Sequence, residues 1–199
     1  MKEENVKNIK YMSTRILYLN AYLTQVVLLL LAGALIWVFN IPLEQMIRLQ
    51  SEVLFSMIGI GLLVAGIVLL CEWVLTKIVS KEALDDGGIN KLIFGRMSVI
   101  HILIFCLLVS VVEELLFRAV IQTLIGLVGA SLLFAIIHVR YLRKPVLFGV
   151  MVTVSFSLGL LFQWTNHLVA PITAHFFINF IAALFIRFPL KKSTRSEIH

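Results

Sequence analysis

Long apolar runs, broken only at intervals by charge, are what most limits how this chain can fold. Counting Lys, Arg, Asp and Glu as breaks, uncharged stretches lie between Arg15 and Glu44, Glu52 and Glu72, Arg96 and Glu113, Arg118 and Arg140, and Lys144 and Arg187. Such runs approach or exceed the ~20 residues that carry an α-helix across the ~30 Å hydrocarbon core of a bilayer. The last is about twice that length, and its middle, Trp164 to Pro171 (WTNHLVAP), carries the polar and proline signals of a turn. It therefore holds two helices. The pattern predicts helices over 16–39, 53–76, 97–124, 129–140, 146–163 and 171–187.

With 60% hydrophobic and 14% charged residues and a mean hydropathy of +1.01, the 199-residue chain is far from the balance of a soluble globular domain. The expected class is all-α: a polytopic membrane bundle of about six transmembrane helices. The run from Ile16 to Phe39 is longer than a signal-peptide core and lacks a small-residue cleavage pattern, so it is expected to be the first span. The net charge of +6 does not point to nucleic acid, because the basic residues fall in short segments between apolar runs. Lys2, Lys7, Lys10 and Arg15 precede the first helix; Lys77, Lys81, Lys91 and Arg96 follow the second; Arg140, Arg143 and Lys144 follow the fourth; and Arg187, Lys191, Lys192 and Arg195 follow the sixth. The alternate loops are nearly free of Lys and Arg, which places both termini in the cytoplasm. Trp37, Trp73 and Trp164 fall near predicted span ends, as an interfacial belt requires. Cys71 and Cys106 sit in apolar runs and read as small buried hydrophobes, with no disulfide or metal framework.

One stretch resists this description. SVVEELLFRAVIQ, Ser110 to Gln122, puts two acids and a base inside a span, where each unpaired charge costs ~2.5–3.5 kcal/mol on insertion scales. Glu114 and Arg118 are spaced i,i+4 with the acid first, and can pair. Glu113 lies about 100° around the helix and needs a partner elsewhere. Phe134 and His138 share one face of the fourth helix, and His175 and Asn179 one face of the sixth. With a turn centred near Gly126, Glu113 is 13 residues before it and His138 is 12 after it, so an antiparallel hairpin sets the two at matched depth. Pro171 as a helix start would leave His175 only about one turn below the surface. The depth matches if the segment before the last helix dips into the bundle, where protein can surround irregular backbone.

These groups allow hydrolysis in two ways. Glu113 with His138 can deprotonate a water while His175 and Asn179 donate hydrogen bonds to the developing oxyanion. Alternatively Glu113, His138 and His175 form the two-His, one-carboxylate set of a catalytic divalent metal such as zinc. Arg118 and Phe134 are supporting residues, and Glu114 is counted with the catalytic group, an ion pair with Arg118 that holds the third helix in its bundle being the alternative role. His101 reads as structural, and His167 as a loop histidine. A non-proteolytic alternative is a membrane immunity or scaffold component, or a proton-coupled carrier using the buried carboxylate. Missing Gly- or Pro-broken helices in two related halves weigh against a carrier.

Glu113-Glu114-x-x-x-Arg118, Phe134-x-x-x-His138 and His175-x-x-x-Asn179, in this order on the third, fourth and sixth membrane helices, resemble the three motifs of the CPBP family, the CAAX proteases and bacteriocin-processing (Abi) intramembrane proteases. The resemblance covers about Val99 to Arg187, with Ala119 standing where the family commonly has glycine. It implies an intramembrane endopeptidase in which Glu113 and His138 activate water and His175 and Asn179 surround the oxyanion, described variously as metal-dependent and glutamate-dependent. The implied partners are the lipid bilayer and a membrane-associated peptide or protein; the implied location is a bacterial cytoplasmic membrane. The expected organisation is two N-terminal helices and a cytoplasmic linker over 1–96, a catalytic core of four helices over 97–187, and a basic cytoplasmic tail over 188–199.

Overall fold

The computed structural model describes residues 14–48 and 51–189; the basic segments at either end of the chain lie largely outside them. Helix α1 (Thr14–Phe39) is followed by a single-turn α2 (Leu43–Ile47), α3 (Ser51–Ile78) and a short α4 (Ile89–Phe94). Helix α5 (Val99–Glu114) runs through a π-helical segment (Leu115–Gln122) into α6 (Thr123–Ile137), and α7 (Pro145–Thr165) and α8 (Val169–Arg187) complete the chain. All the regular structure among the described residues is helical, as expected.

The stretch Val99–Ile137 is helical almost throughout, yet it is a hairpin. Gly126 has φ 76° and ψ 173°, a left-handed conformation that costs glycine little, and the chain reverses there. Phe117 and Phe134 meet edge to face at 4.9 Å, whereas a straight helix at ~1.5 Å per residue would hold them roughly 25 Å apart. The five long apolar helical stretches thus make six helical arms, the fourth of them short. The returning arm ends at Ile137, three residues short of the expected 140, because His138 leaves helical geometry at φ −78°, ψ 55°. That arm rises only ~16 Å from the turn, about half the bilayer core, so His138 ends inside the bundle.

Long-range contacts sort the loops onto two faces. On one, Tyr18 Oη donates to the Ile93 carbonyl, Asn90 Nδ2 to Tyr141 Oη, and Arg187 Nε to the Met97 carbonyl. On the other, Leu168 N–H donates to the Met46 carbonyl at 2.9 Å, and His167 joins the Arg48 carbonyl at 3.2 Å. His167 is therefore a buried strut, not an exposed loop residue. Helix α8 begins at Val169, two residues before the expected Pro171, and Leu168 packs with Ile41, Met46, Ala119 and Phe162. The segment before the last helix is thus recessed to the level of Ala119, as the depth argument required, and α2 covers it. Trp37, Trp73 and Trp164 are exposed near helix ends. Cys106 is buried, but Cys71 is exposed on the outside of α3, which corrects the expectation that both are buried.

Helix α3 packs against α8, running in the same direction. At Gly61 a Cβ would lie 2.6 Å from the Ala170 carbonyl oxygen and 2.8 Å from Thr173 Cβ, so the backbones approach as only a glycine permits. Gly61→Leu is expected to destabilise the bundle by about 1–3 kcal/mol, measured by reversible unfolding in mixed micelles. Gly66→Leu, one to two turns along the same helix where a Cβ meets nothing within 4 Å, should be close to neutral.

Candidate active site

The polar groups of the α5–π segment divide between a buried network and a cavity. Glu114, fully buried, accepts from Arg118 Nε at 3.0 Å through one carboxylate oxygen and pairs with His175 Nδ1 at 2.8 Å through the other. Arg118, equally buried, donates through Nη2 to Ser155 Oγ on α7 at 3.0 Å and lies over the Phe134 ring at 5.6 Å. The Glu114–Arg118 pair follows the i,i+4 spacing. His175 as a second partner of Glu114 was not visible in the sequence.

The π-helical segment explains part of this alignment. Its i→i+5 hydrogen bonds widen each turn, so residues four apart come nearer to eclipse than in an α-helix. Arg118 and Gln122 both turn toward α7, where Gln122 Nε2 donates to the Gly159 carbonyl at 2.8 Å. Gly159 leaves room for them: a Cβ there would run into Leu127 Cδ1 and lie 3.0 Å from Gln122 Oε1 and 3.2 Å from Arg118 Nη1. Gly159→Val is expected to push on all three and cost about 1–3 kcal/mol. Thermal unfolding beside Gly149→Val on the same helix, where a Cβ meets nothing within 4 Å, checks this.

Glu113 points elsewhere. With His138, His175, Asn179 and Phe134 it lines a cavity of about 250 Å³ that extends toward the face carrying α4 and the 138–144 turn. Its Oε2 lies 3.9 Å from His175 Nε2, beyond hydrogen-bonding distance. His138 lies on the same cavity, but the expected direct meeting with Glu113 is not a hydrogen bond. The imidazole instead turns Nδ1 back to the Phe134 carbonyl at 2.7 Å, because its residue caps α6 rather than continuing it. A carbonyl only accepts, so Nδ1 carries a proton, and in the neutral ring Nε2 is the acceptor. Phe134 stands between the two histidines, with ring centroids 4.7 Å from His138 and 6.2 Å from His175.

His101 takes the structural part expected of it, joining Tyr22 Oη on α1 through Nε2 at 2.9 Å. Among the described residues no three His, Cys, Asp or Glu side chains are grouped as metal ligands. His175 Nδ1 is committed to Glu114, and His138 Nδ1 to a carbonyl. Glu113, His138 and His175 are not drawn together as a ligand set in this arrangement, although each histidine keeps Nε2 for a metal, its Nδ1 held as in ligating histidines.

Several cavity and network residues escaped sequence reasoning. Ser155 and Gly159 are small residues in an uncharged helix that also carries Thr153 and Ser157, with nothing local to mark them. Glu72 did carry a signal, an acid within the span Val53–Ile78, and it lines the cavity. Arg140, Asn90 and Tyr141 line the cavity on the α4 side. There Arg140 hydrogen-bonds Asn90 and Tyr141 and lies 3.8 Å from Asp86.

Residues 95–181 match the family model for type II CAAX prenyl endopeptidase Rce1-like proteins. The chain is 39% identical over 177 residues to the uncharacterized protein YpbD of Bacillus subtilis (strain 168), covering 89% of this chain and 94% of that one. It is 26% identical over 183 residues to the membrane-embedded CAAX protease MroQ of Staphylococcus aureus (strain USA300), covering 81% and 72%. No solved structure matches. A multi-pass bundle, three ordered motifs converging beside one intramembrane cavity, and these relatives together show that the chain belongs to the CPBP/CAAX protease family of membrane proteins.

Proposed function

We propose that this protein is an intramembrane endopeptidase that hydrolyses a peptide bond of a membrane-associated peptide or protein, with Glu113 as the general base. The observation that carries this reading is the separation of the two adjacent glutamates. Glu114 is consumed by Arg118 and His175, while Glu113 faces the cavity with no hydrogen-bond partner among the described residues.

In the proposed reaction the Glu113 carboxylate takes a proton from a water held between it and His138 Nε2. The resulting hydroxide adds to the scissile carbonyl carbon. His175, its Nδ1–H oriented by Glu114, presents Nε2 to the cavity, and with a proton on that nitrogen it donates to the oxyanion beside Asn179. Collapse of the tetrahedral intermediate breaks the C–N bond, and Glu113 returns the proton to the leaving amine. Glu114, Arg118 and Ser155 hold His175 in place without meeting the substrate. The basic residues around the cavity-bearing face support a cytoplasmic mouth.

The test is cleavage of quenched-fluorescent membrane peptides by purified protein in proteoliposomes, beside Glu113→Gln and His138→Ala. Cleavage that disappears in both supports the reading. Cleavage fully retained in both sinks it, and solute transport lost in both without any cleavage would favour the carrier.

A further inference from the structure

We propose that Glu72 is a specificity-determining residue that receives a cationic side chain of the bound peptide, about three residues from the scissile bond. The inference rests on the protease reading and adds to it a substrate feature. Glu72 lies inside the apolar helix Val53–Ile78, one residue before the interfacial Trp73, and is half-buried there; an acid in an apolar span commonly marks a functional site. Among the described residues it has neither a hydrogen bond nor an ion pair, and nearby Lys77 sits over the Trp73 ring instead. Among the described residues, Glu72 and Glu113 are the only carboxylates lining the cavity. A cation entering it therefore has one counter-charge remote from the reacting carbonyl.

Helix register gives the distance. Gly61 of α3 abuts Ala170 and Thr173 of α8, and the two helices run in the same direction. Eleven residues further along α3, Glu72 comes level with Ala182 and Ala183, which line the same cavity. Ala182 is seven residues beyond His175, ~10 Å at the helical rise of ~1.5 Å per residue. An extended peptide covers that in about three residues at ~3.3–3.6 Å each. The alanines at that level leave space for a long side chain to reach the carboxylate. Arg140, on the same cavity, would repel a misplaced cation.

The experiment uses full-length protein in nanodiscs carrying Glu113→Gln, and fluorescein-labelled apolar peptides identical except for a single Lys, Gln or Glu scanned through the sequence. At one position Lys should bind at least about tenfold more tightly than Gln. Glu72→Gln should erase that preference, Glu72→Asp should keep part of it, and Glu72→Lys should transfer it to the Glu peptide. No position favouring Lys, or a preference that survives in Glu72→Gln, overturns the proposal. Cleavage by protein with Glu113 intact is the separate readout. Cleavage whose KM ratio between Lys and Gln peptides is unchanged by Glu72→Gln removes Glu72 and leaves the protease. A Glu72-dependent preference in binding, with no peptide cleaved, supports the cation site and removes the protease.

Discussion

Glu113→Gln is expected to lower peptide hydrolysis by at least about 10²–10⁴-fold, the usual contribution of a positioned general base, while leaving the unfolding midpoint nearly unchanged. The amide has the shape of the carboxylate but cannot take the proton from water. Glu113 makes no hydrogen bond among the described residues and borders the cavity, so its replacement leaves no buried partner stranded. Initial cleavage rates in proteoliposomes, set beside thermal unfolding of the same preparations, separate the two effects. Loss of activity with a large loss of stability would instead make Glu113 a structural acid.

Arg118→Met should behave in the opposite way, costing about 3–5 kcal/mol because it leaves a fully buried carboxylate without its main counter-charge. The guanidinium also holds Ser155 and packs over Phe134, so Arg118→Lys should not restore it: an ammonium cannot serve Glu114 and Ser155 through a planar fork. The double variant Glu114→Gln/Arg118→Met should recover much of the lost stability, since replacing both members of a buried pair often costs little. It should not recover activity, because His175 loses the carboxylate that orients its ring. Reversible unfolding together with cleavage rates checks both halves. Additive losses of stability in the double variant would show that the pair is not coupled.

A single turn of helix sends Glu114 into a closed network and Glu113 to a cavity wall. On the helix surface they are about 100° apart, which the sequence already shows. What the sequence does not show is which direction holds the cavity.

The span count, the hairpin at Gly126, the Glu114–Arg118 pair and the three motifs were legible because each rests on local spacing, run length or charge in an apolar setting. Matched depth for Glu113 and His138 was also legible from counting out of the turn. Their actual relation was not: His138 caps α6 and turns Nδ1 to Phe134, while the nitrogens of His175 lie nearer the glutamates. The recess before α8 was needed by the depth argument, but its cause, the Met46 and Arg48 contacts to residues 167 and 168, joins segments over a hundred residues apart.

By itself the sequence determined that the chain crosses a membrane as a helical bundle and that its second half carries acidic, histidine and amide side chains on its third, fourth and sixth helices. Only the tertiary structure decided which faces look inward: that Cys71 is outside, that Glu72 reaches the cavity, that Ser155 and Gly159 receive Arg118 and Gln122, and that a π-helical segment aligns them. The physical reason is that lipid tails are as apolar as a packed core. A membrane helix therefore need not place polar residues on its outer face, and the periodicity that marks the buried side of a soluble helix is largely absent.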